Sequence, residues 1–326
     1  MGRYGNILQR NGSFLTARPL SVAVFFFLPI AVPGLFGWLN GLLAVLIFLL
    51  LQTAADEWRA GQQIRNGLLM AGLGSLLVGR FSMFFFTLTM LPLGYSLHRS
   101  VTQRKSPAEA GAAGVVVLGL SWFLFWSSYG MISGMNPYIV LLAEMDTFMV
   151  QLIGAYRTSS ELPAEILYNF EQIIEGIREL FPKILPGLLG GTILTTVCIN
   201  LVVSGGLLRR LAPEKAFWPP YSEWRLPDRV VWLLITVFAL LLLGQGWVKH
   251  VGLSLVIVSG LLYCFQGAAV VIHTLNRWNL PRAFRFFAYV LLLFQGYGAM
   301  LLFFVGVADT WVDFRRLDHE DKPNDE

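Results

Sequence analysis

The densest set of chemically capable side chains stands near the end of the chain. In GVADTWVDFRR, residues 306–316, two carboxylates, a tryptophan, a phenylalanine and two arginines follow directly on a long apolar run. On a helix Asp309 and Asp313 are four residues apart and share a face, where they repel unless a cation lies between them. That cation is an arginine of a neighbouring element, a metal or a cationic ligand. Two carboxylates without further ligands make a poor metal site, so no metal is expected. Trp311 and Arg315 are also four apart and spaced for a cation–π contact, with Phe314 beside them. The expectation is a helix end locked by ion pairs to a basic segment. Arg99, Arg104, Lys105 and the Arg209–Arg210 pair are the candidates on one side of a membrane, Arg80 and Lys249 on the other.

Elsewhere the chain is poor in reactive constellations. Its four histidines, His98, His250, His273 and His319, have no second His or Cys at metal spacing. There is no His-Glu-x-x-His, no Gly-x-Ser-x-Gly elbow and no P-loop. Cys198 and Cys264 lie inside apolar runs and read as packed neutral thiols. No catalytic residue, cofactor or enzymatic activity is therefore expected. Three amides fall deep in apolar segments: Asn200, Gln266 and Gln295. Polar groups at membrane depth are costly and point to function by default. They are the candidate lining of a ligand cavity, the alternative being hydrogen bonds between neighbouring helices.

The elements that must position these residues are set by composition. Only 13% of residues are charged and 56% are hydrophobic, against about 25% charged in an average soluble domain. Apolar runs recur at close to the ~20 residues that cross a hydrocarbon core. Such long runs exclude a β-barrel, whose strands alternate. The fold class expected is an all-α, polytopic transmembrane helix bundle in the lipid bilayer. Nine spans are assigned, at 19–36, 38–55, 66–79, 81–97, 111–132, 184–203, 229–247, 251–275 and 286–308, with a tight hairpin turning at Arg80. The first is read as a span and not as a removed signal. With the N-terminus in the cytoplasm, inside segments hold twice as many Lys and Arg as outside ones. Nine spans then force Arg315 and Arg316 to the outside, against that bias.

One domain, 1–316, is expected, followed by a disordered acidic tail at 317–326. Residues 133–183 read as an insertion of two amphipathic helices lying outside the membrane, the second ended by Pro182. Residues 208–228 form a cytoplasmic loop in which Pro219–Pro220 forbids helix, and Trp218, Tyr221 and Trp224 accompany basic residues. Such a loop is an interface anchor or a docking surface for a cytoplasmic partner. No basic cluster is interleaved with exposed aromatics in the manner of a nucleic-acid site.

Three stretches, 89–114, 180–227 and the terminal GVADTWVDFRR, together resemble the YybS-like family of bacterial polytopic membrane proteins, which is defined by a domain of unknown function. The resemblance implies a bacterial cytoplasmic (inner) membrane protein. It also implies a distant likeness to the substrate-binding subunits of energy-coupling-factor transporters, which capture a small molecule between spans and lean on a separate energising ATPase. Two functions follow as expectations. One is a small-molecule-binding or transport-associated bundle. The other is a structural membrane scaffold that docks cytoplasmic partners through 208–228 and holds no ligand.

Overall fold

The computed structural model describes residues 19–158, 163–278, 280–294, 296–312 and 314–315, and among them every regular element is helical. In chain order these are α1 (Pro19–Ala31), α2 (Phe36–Gly41), α3 (Leu43–Thr53), α4 (Glu57–Leu77), α5 (Phe81–Leu88), α6 (Met90–Thr102), α7 (Pro107–Ser133), α8 (Pro137–Thr158), α9 (Ala164–Leu211), α10 (Val230–Leu243), α11 (Trp247–Arg277), α12 (Arg282–Phe294) and α13 (Gly296–Val312). Large apolar side chains face outward in quantity; Leu77, Met131 and Ile132 are each more than four-fifths exposed. A protein in water does not tolerate such a surface, whereas lipid chains do. The all-α membrane architecture is as expected.

The number of spans is smaller than nine. Among the described residues four helices are long and apolar enough to cross a membrane, α7, α8, α9 and α11, or up to six if each of two sharply bent pairs is one span. The reasons are local. Pro33 breaks the first apolar run, so that α1 and the segment Pro33–Gly41 meet at 93°. Leu42 breaks the second, leaving only Leu43–Thr53 beyond it. Residues 66–79 are the far part of α4, whose near part carries Arg59 and Arg65. The run 81–97 divides at Thr89. Helix α10 has 14 residues, about 21 Å against a core of roughly 30 Å. The last run is bent by 101° between Leu292 and Gly296.

The chain forms two compact units. The first gathers the residues up to Ser121, Ile193–Val230 and those from Gly260 onward. In it α1 packs on α4 and α3 packs on α6. Glycines permit both contacts: a Cβ on Gly67 would stand 2.5 Å from Val22 Cγ1, and one on Gly94 2.6 Å from Ile47 Cβ. Val22, Phe26, Ile30, Ile47, Phe48 and Leu93 are fully buried there. The turn expected at Arg80 is present. Gly79 takes φ +70°, a conformation only glycine adopts without cost. Arg80 Nη1 donates to the Ile30 carbonyl at 2.9 Å and so satisfies the open end of α1.

The second unit comprises Trp122–Thr192 and Val231–Ser259. Helix α8 runs antiparallel to the first half of α9. Arg157 Nε bonds Glu171 at 2.6 Å, and Arg178 bonds Asp146 at 2.7 Å and Glu175 at 2.9 Å. The rings of Tyr156 and Phe170 lie 4.1 Å apart. The two helices expected within 133–183 are thus present. Pro182, however, does not end the second. α9 continues through Pro182 and Pro186 to Leu211, 48 residues in all and about 72 Å long. Pro186 has no N–H to offer the Pro182 carbonyl, and the Tyr138 hydroxyl donates to that carbonyl instead, at 3.5 Å.

Candidate functional site

The terminal motif closes on itself. α13 ends at Val312, the chain turns, and Arg315 folds back toward Asp309. Arg315 Nη2 donates to Asp309 Oδ2 at 2.8 Å, with both side chains 1% exposed. Arg315 Nη1 donates to the carbonyls of Ser222 at 2.9 Å and Trp224 at 2.8 Å. Gln266 on α11 completes the cluster: its Nε2 donates to Asp309 Oδ2 at 2.7 Å, and its Oε1 accepts from the Leu226 N–H at 3.1 Å. One buried ion pair and one amide therefore tie α13, α11 and the 208–228 loop together. Asp309 Oδ1 and Arg315 Nε have no partner among the described residues. One turn before Asp309, Gly306 lets the backbones approach, because a Cβ there would collide with the Tyr263 carbonyl.

The loop is held from its other side as well. Trp218 is buried, stacks on Phe48 with 7° between ring planes, and donates Nε1 to the Lys105 carbonyl at 3.0 Å. Tyr221 donates to the Phe265 carbonyl at 2.6 Å, and burial pushes its phenol well above the ordinary range. Trp224 meets both Trp218 and Tyr221 edge to face, and its Nε1 bonds the Pro219 carbonyl at 2.7 Å. Lys215 Nζ reaches the Gln52 carbonyl at 2.8 Å, and Arg209 Nη2 donates to the Trp218 carbonyl. Short 3₁₀ turns at Pro213–Lys215 and Tyr221–Glu223 fold the segment compactly.

These contacts gather the end of α3, the turn after α6, the loop and Arg315 at one end of the first unit. Arg315 lies against the loop, whereas nine spans would separate the two by the width of a membrane.

Two of the candidate ligand-lining amides are bonded into different parts of the fold. Asn200 on α9 is fully buried. Its Oδ1 accepts from the Val45 N–H at 3.1 Å, and its Nδ2 donates to the carbonyls of Gly41 at 2.5 Å and Thr196 at 2.7 Å. It replaces helix hydrogen bonds interrupted at Leu42. Gln266 serves Asp309 and Leu226 as described. Gln295 and Asp313 lie outside the described residues. Trp311 is 66% exposed and Phe314 is 47% exposed. The cation–π contact spaced for Trp311 and Arg315 gives way to the buried pair, because α13 stops at Val312 and the helical register never reaches Arg315. What spacing missed was Asp309's partner, six residues on across a turn, and the role of Gln266. The signal for Gln266 was present in its depth within an apolar run. No group of three metal-ligating residues occurs among the described residues.

Comparison with known proteins gives one match. The family model DUF2232, described as a predicted membrane protein, matches residues 20–310. The match ends inside the terminal motif, so Asp309 falls within it and Arg315 beyond it. No curated protein and no solved structure matches the chain.

Proposed function

Because the chain belongs to the DUF2232 family of predicted membrane proteins, we propose that it is a non-enzymatic membrane scaffold whose basic, aromatic loop end docks a cytoplasmic protein. The observation that carries this reading is the pinning of 208–228. A merely connecting loop has no use for a buried Arg315 on two of its carbonyls, a buried Trp218 and a Lys215 strap. Rigid presentation lowers the entropy lost on binding. The excess of Lys and Arg near this end supports a cytoplasmic side for it, and the resemblance to YybS-like proteins supports a bacterial membrane. The charged half of α9, with Glu165, Glu171, Glu175, Arg178, Glu179 and Lys183, is too costly for the bilayer. In this reading it stands outside the membrane with the ion-paired α8 beside it, so that α8, though long and apolar enough to cross, does not do so.

The transport-associated reading, favoured by the resemblance to YybS-like proteins, needs an internal polar cavity. Asn200 and Gln266 spend their hydrogen bonds on the fold itself, which argues for the scaffold. An energising ATPase remains one partner of the kind a cytoplasmic face would dock. Native mass spectrometry of the protein from its own membranes tests the choice. A recurrent protein partner, lost when Lys215 and Arg225 are changed to Gln, is the expected result. A stoichiometric small molecule without any protein partner would refute the scaffold.

A further inference from the structure

The pinned loop leaves a groove of about 320 Å³ between itself and the end of α9. Gly205 and Gly206 form part of its floor, Arg209 and Arg210 stand along it, and Tyr221 and Trp224 form its aromatic wall. Neither arginine has a carboxylate partner among the described residues. The bond from Arg209 to the Trp218 carbonyl uses one of its five N–H groups and fixes the guanidinium plane at the groove. Arg210 is exposed. A Cβ on Gly206 would meet nothing within 4 Å, so the floor there is open space.

We propose that this groove binds a phosphate-bearing anion, the phosphate engaged by Arg209 and Arg210 and the remainder of the ligand lying along Trp224 and Gly206. Two guanidinium groups lining one groove, with planar donors, match the oxygens of a phosphate better than lysines would. The groove sits at the end of a long apolar helix flanked by Tyr and Trp, which is the depth of lipid headgroups. The helix C-terminus places about half a negative charge there, and the two arginines outweigh it. The same chemistry serves two sources, the headgroup of an anionic phospholipid or a soluble phosphate compound. The proposal does not depend on a protein partner.

The test uses the purified full chain and native mass spectrometry, with phosphatidylglycerol, phosphatidylcholine and inorganic phosphate as separate probes. Melting temperatures confirm that each variant is folded. Phosphatidylglycerol is expected to remain bound at one per chain, with phosphatidylcholine retained far less. Arg210→Gln should weaken retention roughly fivefold, the worth of one basic side chain near anionic lipid. Gly206→Leu starts its side chain in open space at the floor and should abolish binding without lowering the melting temperature. If phosphate alone binds, and both variants weaken it, the source is soluble and the site stands. Equal retention of both lipids with no phosphate binding, or retention untouched by both variants, would overturn the proposal.

Discussion

The Asp309–Arg315 pair makes the sharpest demand on the structure. Changing Arg315 to Gln strips donors from the Ser222 and Trp224 carbonyls and leaves Asp309 as a buried carboxylate with Gln266 alone. Removing one partner of a buried ion pair costs about 3–5 kcal/mol. The two lost carbonyl bonds place Arg315→Gln at the upper end of that range. Asp309→Asn preserves shape and can still accept from Gln266, while Arg315 keeps its two carbonyls, so the lower end is expected. In the double variant two neutral amides face each other and no unpaired charge remains. Its loss should therefore fall short of the sum of the single losses by about 2–3 kcal/mol, within the range for groups in direct contact. Melting in one detergent, followed with a thiol-reactive dye on Cys198 and Cys264, supplies the cycle. Hydrogen exchange locates the damage: protection across 213–228 should fall before that of α1 and α4. If the two single variants melt like the parent, or the losses simply add, the pair does not hold the loop and the reasoning fails.

Other positions give independent checks. Asn200→Leu leaves the Gly41 carbonyl unpaired in a buried place, at a cost of about 1–3 kcal/mol, while the Val45 N–H keeps only its bond to the Leu42 carbonyl, and melting should drop below that of the parent; no drop would mean the break at Leu42 needs no plug. Trp311→Ala should change stability by less than about 0.5 kcal/mol, as at an ordinary surface site; a larger loss would restore the contact with Arg315. With Cys198 and Cys264 replaced by Ala, Phe314→Cys should react with an impermeant maleimide only after cells are permeabilised. Labelling of intact cells would put Arg315 outside.

Composition and the length of apolar runs were sufficient for a helical membrane protein, because a chain so short of charge cannot wet its own surface. Periodicity was sufficient for the helices within 133–183, and the basic residues near 208–228 and 99–105 correctly shared one end. Span number was not legible. Whether an apolar run stays straight depends on what happens at one residue: the break at Leu42 is plugged by Asn200 from α9, and α1 ends where Arg80 caps it from across the turn. The terminal motif divides in the same way. Its side chains announced ion pairing, but sequence spacing assumes a continuing helix, and the chain turned after Val312. Asp309 met Arg315 because α11 and the loop supplied Gln266 and two carbonyls that made burying both charges tolerable. Local pattern determines which segments are helical and apolar. Only tertiary packing decides where a helix stops and which buried polar group meets which: most of those bonds join residues tens to hundreds of positions apart, and the one between Asp309 and Arg315, six apart, forms only where the others surround it.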